Sequence, residues 1–191
     1  MKKIPLLFLR NPDNLREIFD VPNSLCQWVF DGEGVATRKY DGTSCMVRNN
    51  KLYKRREVKP GREIPEDFIL EEFDSVTKKS FGWVSVCEDD PQDKYHVTAF
   101  RNLHETGMDS DGTYELLGPK IQGNPENIRV VHILLKHSEA FIYDDAPRTY
   151  SGLEEWFKNK NIEGLVFHHS DGRMAKIRLK DFNLSRKGTN E

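Results

Sequence analysis

Three tight-turn dipeptides, Asp41-Gly42, Asn49-Asn50 and Asp171-Gly172, cut this chain into short apolar runs. Pairs of this kind supply the positive φ that close a hairpin, so they favour antiparallel strands over long helices. Residues 35–40 and 43–48 read as two strands about Asp41-Gly42, and residues 52–56 as a third beyond Asn49-Asn50. Residues 165–169 and 174–179 read as a last hairpin. Further strands are expected at 4–9, 113–117, 129–136 and 140–143, with a hairpin of 81–87 against 95–100. Helical spacing is expected at 14–19 and at 65–79, where Phe68, Ile69, Phe73 and Val76 recur. A third helix is expected from a cap at Ser151 with Glu154 as its capping-box partner. The pattern is α+β, rich in antiparallel strands, with two or three helices. No strand–helix alternation, GxGxxG or GxxxxGK[ST] points to a Rossmann or P-loop sheet.

At 191 residues the chain suits a single domain over 1–191. No apolar run is long enough to cross a bilayer, and MKKIPLLFLR runs into Asn11-Pro12 without a small-residue cleavage site, so it reads as an opening strand. Three widely spaced cysteines, Cys26, Cys45 and Cys87, fit neither a disulfide framework nor a zinc knuckle. They suit a reducing compartment, and a cytoplasmic location is expected. The formal net charge of −2 excludes a globally basic nucleic-acid binder. Basic side chains nevertheless cluster in residues 51–62 and again from Lys176 through Arg178, Lys180 and Arg186 to Lys187. Such clusters can meet phosphates locally, or simply form solvated faces.

Lys39 stands two residues before Asp41-Gly42, and the turn does not account for it. Farther on, Glu115 and Glu163 are carboxylates within apolar strands. Lys176 and Arg178 lie two apart on a strand and therefore share a face. Each has a structural explanation of its own, as an edge residue or as part of a wet strand face. His168 and His169 are adjacent, so they point to opposite faces and are poorly set to chelate one ion. Trp28, Trp83 and Trp156 are expected in packing roles, and Ser44 and Cys45 lack a partner motif for nucleophilic chemistry.

The order Lys39-Tyr-Asp-Gly42, Arg55, Glu115, Glu163-Gly164 and Lys176-Ile-Arg178 resembles the covalent nucleotidyltransferase superfamily of ATP-dependent ligases and capping enzymes. Residues 114–125 (YELLGPKIQGNP) and 162–172 (IEGLVFHHSDG) are more similar to vertebrate-type 5′-to-3′ RNA ligases. Arg178 departs from the superfamily's usual K-x-K. The resemblance implies an ATP-grasp-like nucleotidyltransferase fold and an ATP-dependent RNA ligase. Such an enzyme joins 5′-phosphate and 3′-hydroxyl ends through a lysyl-AMP and an RNA-adenylate.

It also implies roles. Lys39 would be the nucleophile, with Glu163 and Lys176 also catalytic. Asp41, Gly42, Arg55, Glu115, Tyr143 (or Phe141), Val166, Lys176 and Arg178 would bind the nucleotide. Asp41, Glu115 and Glu163 would hold Mg²⁺, with Mn²⁺ as a substitute. A lysine nucleophile must be neutral, whereas a free lysine titrates near ~10.4. Neighbouring positive charge or burial is then needed. The partner expected is RNA, the oligomeric state a monomer, and no membrane is involved. Few residues follow Arg178, so no oligonucleotide-binding domain is expected after it, unlike DNA ligases and capping enzymes. The competing readings are a minimal DNA ligase, a GTP-using capping transferase and a non-catalytic nucleic-acid-binding module.

Overall fold

The computed structural model describes residues 2–186. Among these residues the fold is α+β, with three antiparallel sheets and few helices. It divides into two compact units: Asp41–Glu139 with the first residues of the chain, and Ile4–Tyr40 with the chain from Ala140 on. Among the described residues, no helix is long and apolar enough to cross a membrane.

The unit containing Ile4–Tyr40 and the chain from Ala140 on holds two sheets. Strands β1 (Phe8–Arg10) and β2 (Ile18–Pro22) pair with each other. Strands β3 (Val35–Lys39), β10 (Gly164–His168) and β11 (Met174–Arg178) form a three-stranded sheet with β10 in the centre. Its alternation is plain. Leu165, Phe167, Ala175 and Ile177 are fully buried in a core with Leu153, Phe157 and Phe182. Lys39, Thr37, Val166, Lys176 and Arg178 occupy the opposite face, as period-two alternation and direct pairing require. Short helix α1 (Gln27–Phe30) buries Trp28 and Val29. Helix α3 (Tyr150–Lys158) buries Leu153 and Phe157.

The other unit is a six-stranded sheet in the order β6-β7-β5-β4-β8-β9, with β4 (Thr43–Arg48), β5 (Lys51–Val58), β6 (Ile69–Asp74), β7 (Lys79–Ser85), β8 (Gly112–Leu117) and β9 (Ile133–Lys136). One face packs Cys45, Val47, Leu52, Tyr114, Leu116 and Leu134 with Ala99 of helix α2 (Lys94–Glu105). Lys54 reaches from that face to the buried carboxylate of Asp93 at the start of α2.

Several expectations fail for identifiable reasons. Strands β3 and β4 are not a hairpin: they belong to different sheets, and Asp41-Gly42 is where the chain passes between them. Residues 14–19 do not form a helix, because Asn11 and Asn14 turn the chain through their own side chains and Ile18 then joins β2. Residues 65–79 hold strand β6 and a turn. Phe73 and Val76 are exposed, so no core rewards their helical spacing, and Asp74 accepts from the amides of Val76 and Thr77 to start the return. Residues 95–100 are helical rather than a strand. Asp90 caps the approach, Pro91 starts it, and Tyr95, Ala99 and Leu103 recur at helical spacing against the core. The strand expected at 129–136 is confined to β9.

Residues 140–143 form no strand, only a single bridge between Ile142 and Thr37 flanked by two backbone hydrogen bonds. Of residues 4–9, only Phe8 and Leu9 enter β1, while Leu6 bridges in parallel to Lys176. The cap of α3 is Thr149, not Ser151: its hydroxyl accepts from the amide of Gly152. Thr149→Ala should therefore cost about 1 kcal/mol of unfolding free energy, and Ser151→Ala no more than about 0.5 kcal/mol, as measured by urea denaturation. Equal losses for the two would contradict this cap.

Candidate active site

In the three-stranded sheet, Gly164 pairs with Lys39 on one side and Arg178 on the other. A Cβ at this position would stand 2.2 Å from the carbonyl oxygen of Ile177, so only glycine permits the approach. Glu163, one residue earlier, accepts a hydrogen bond and ion pair from Lys39 Nζ, which lies 3.3 Å from the Tyr40 carbonyl oxygen. Both side chains are mostly buried. The carbonyl of Glu163 accepts from Leu179 N–H at 2.9 Å, which ties the start of β10 to the end of β11.

Lys176 and Arg178 share this face. The backbone of Lys176 is clamped on its outer side: its amide donates to Pro5 and its carbonyl accepts from Leu7, each at 2.9 Å. Burial, with Arg178 and Lys39 beside it, pulls the Lys176 ammonium down to about 8, against the opposing pull of Glu163 and Asp181. Burial also disfavours the charge on Arg178. There the hydrogen bonds and charge of Asp181, with Glu163, outweigh burial and hold the guanidinium above its ordinary range. Asp181 takes Arg178 in a bidentate grip, with Nε at 3.1 Å and Nη2 at 2.6 Å, and also accepts from the Arg178 amide. Asp181 was not anticipated, although its position three residues after Arg178 is a readable turn-scale signal. Thr37, on the same face, donates to the Val166 carbonyl and receives His168 Nε2 at 3.1 Å. His169 instead meets Glu33 and Asp171, so the two histidines diverge as expected.

The six-stranded sheet carries the remaining residues. Gly42 N–H donates to Glu115 Oε1 at 3.1 Å, and a Cβ on Gly42 would stand 2.2 Å from the Leu116 carbonyl oxygen. Glu115 Oε2 lies 3.0 Å from His137 Nε2, whose other ring nitrogen is 2.9 Å from Thr113 Oγ1. His137 had no sequence signal, because it follows β9 and reaches β8 only through sheet pairing. The Asp41 amide donates to Glu126 Oε1 at 3.1 Å. Arg55 is on the Glu115 face: Glu115 pairs with Ser44, Met46 with Tyr53, and Tyr53 and Arg55 are two apart. Its guanidinium lies over the Trp83 ring at 5.1 Å. Burial lowers its pKa, and Glu71 and Glu72 partly offset that.

Lys39, Glu163, Lys176, Arg178 and Val166 are thus brought together on one sheet face, and Gly42 with Glu115 on another. Tyr143 is placed differently. It packs edge-on between Phe141 and Trp156 and against the core. Phe141 and Tyr143 flank Ile142, the residue that bridges Thr37, so their side chains alternate away from the Lys39 face. Among the described residues, no group of three His, Cys, Asp or Glu side chains is arranged to hold a metal ion.

The RNA ligase 1 family matches residues 97–190, a stretch that includes Glu115, Glu163, Lys176 and Arg178. Proteins named RNA ligase 1 are similar to this chain as well. That of Pongo abelii is 33% identical over 79 residues, which cover 38% of this chain and 24% of that protein. Those of Danio rerio and Mus musculus are 23% and 24% identical over 219 and 221 residues, covering 78% of this chain and 67% of each relative. Over residues 97–190 the chain is similar to the RNA ligase 1 family. The matched stretch spans Glu163, Lys176 and Arg178, three of the four residues on the charged sheet face, while Lys39 lies before it.

The electrostatics of that face give a test. In the unfolded chain Lys176 keeps its proton up to ~10.4, and in the folded protein only up to about 8. Between those values the unfolded state binds more protons, so stability rises with pH across that window, and the full cost of the buried ammonium is present below it. Lys176→Met should raise stability near neutral pH by about 1–3 kcal/mol and flatten the rise toward pH ~10. Urea denaturation of both proteins from neutral to alkaline pH measures this. A parallel pH dependence in the two would refute the burial cost.

Proposed function

We propose that this chain is an ATP-dependent RNA ligase built on an ATP-grasp-like nucleotidyltransferase fold. The observation that carries the reading is the Lys39–Glu163 pair with Lys176 and Arg178 on the same face of one small sheet. The relatives named RNA ligase 1 support RNA as the polymer.

In this reading Lys39 Nζ attacks the α-phosphorus of ATP. The nitrogen–phosphorus bond forms as the bond to the bridging oxygen breaks, and pyrophosphate leaves. Glu163, already hydrogen-bonded to Nζ, orients the amine and is placed to take its proton. Lys176 and Arg178 offset the charge that builds on the phosphate oxygens. Arg178 does so in a fixed plane, because Asp181 holds it. Glu115, held by Gly42 and His137, is suited to accept from a ribose hydroxyl. A 5′-phosphate oxygen then takes the AMP from Lys39, and a 3′-hydroxyl displaces it to close the strand. Mg²⁺ would offset charge on the nucleotide's phosphates, and by the family resemblance Asp41, Glu115 and Glu163 would hold it, directly or through water.

The test is incubation with Mg²⁺ and ATP labelled at the α-phosphate, followed by a denaturing gel. The wild type should retain label and Lys39→Ala none, while Glu163→Gln should slow labelling by about 100-fold or more. RNA ends with 5′-phosphate and 3′-hydroxyl should be sealed in preference to DNA ends, and ATP should outcompete GTP. A wild-type protein that takes no label, once AMP carried through purification is ruled out by mass, would leave a non-catalytic binding module.

A further inference from the structure

Beside the charged sheet face, within the same compact unit, lies a cavity of about 450 Å³ lined by Arg10, Leu15, Arg16, Arg178, Lys180, Asp181 and Asn183. Four of its seven lining residues are cationic, and the single acid is spent on Arg178. The chain builds this cavity from two directions. Leu6 bridges in parallel to Lys176, and beyond the end of β11 Arg10 and Lys180 line the same cavity. Arg10 then fastens the loop before β2 by donating to the Leu15 carbonyl, and Asn14 turns that loop by accepting from the Arg16 amide. On the other wall, Asn183 adopts a left-handed conformation (φ 57°) that ends the turn carrying Lys180 and Asp181.

Arg178 belongs to both places. It stands two residues along β11 from Lys176, a step of roughly 6–7 Å, and also lines the cavity. A polyanion leaving the Lys39 face along β11 therefore meets Arg178 first and the outer cations next. Arg10, Arg16 and Lys180 are all exposed, so they can reach such a ligand without a desolvation cost in the free protein. Among the described residues no aromatic ring lines the cavity on which a base could stack. Its chemistry is that of a phosphodiester cradle, which positions a strand without reading its sequence.

We propose that this cavity binds the phosphate backbone of the RNA strand whose 5′ end is presented to Lys39. The identity of that strand rests on the ligase reading; the phosphate-binding chemistry does not.

The experiment uses the full chain and a 5′-phosphorylated RNA labelled at its 3′ end. Fluorescence anisotropy is measured at several salt concentrations, with lysyl-AMP formation followed in parallel. Arg16→Glu combined with Lys180→Glu should weaken RNA binding by about 10-fold or more and lower the salt slope by about 0.7 for each phosphate no longer neutralised. Lysyl-AMP formation should stay within about two-fold of wild type. The matching pair Arg56→Glu with Lys59→Glu, in the basic stretch at the other sheet, should leave RNA affinity nearly unchanged. Thermal melts check folding, and Arg16→Ala with Lys180→Ala should give a smaller loss in the same direction.

Unchanged RNA affinity in the Arg16 and Lys180 pair overturns the proposal. So does a defect confined to the ATP concentration needed for labelling, which would assign the cavity to the nucleotide's own phosphates. A wild type that binds RNA through this pair yet forms no lysyl-AMP upholds the cradle and removes the ligase reading. A wild type that labels normally while the pair leaves RNA affinity untouched does the reverse.

Discussion

The close passage of β10 at Gly164 is the constraint on which the charged face depends. Gly164 pairs with both Lys39 and Arg178, and its missing side chain lets the Ile177 carbonyl approach to a distance that any Cβ would forbid. Three strands are thereby locked in one register. Because strand faces alternate, that register sends Leu165, Phe167, Ala175 and Ile177 into the core and Lys39, Lys176 and Arg178 to the other side. A slip of one residue would bury the cations and expose the core. Burial of the apolar face therefore stabilises the arrangement of the charged one, although none of the charged groups contributes to that burial.

Placing three cations on one sheet face is costly without compensation, and the chain handles each differently. Lys39 has Glu163. Arg178 has Asp181, itself almost wholly buried and therefore a strong local partner. Lys176 bears the cost, with an ammonium destabilised by burial and by its two neighbours. An anion entering this face would relieve that repulsion, as the proposed phosphate chemistry requires. Glu115 is handled by hydrogen bonding instead, between a backbone amide and His137.

The chemistry-bearing residues were legible to different degrees. Lys176 and Arg178 could be put on one face from their spacing, since strand geometry allows nothing else. The divergence of His168 and His169 followed from the same rule. The pairing of Lys39 with Glu163 was not legible as a contact, because 124 residues separate them. Tyr143 as a base-stacking ring rested on residue type, and its packing among Phe141, Trp156 and the core gives it another occupation. Asp181 and His137 were missed because each acts through a partner whose position only the folded chain defines. Lys187, counted in the basic tail, lies outside the described residues.

By itself, the amino-acid sequence determined the strand-rich α+β class, the turns at Asn49-Asn50 and Asp171-Gly172, and the order of the charged residues. These are local properties, set by backbone φ preferences and by alternation along a strand. Only the tertiary structure decided that the strands either side of Asp41-Gly42 belong to different sheets, that residues 65–79 hold a strand, and that residues 95–100 are helical. The physical reason is the same in each case. A short apolar run satisfies either period about equally well, and the choice falls to whichever neighbour offers it hydrogen bonds and a surface to bury. Those neighbours lie far away in sequence, and no local pattern names them.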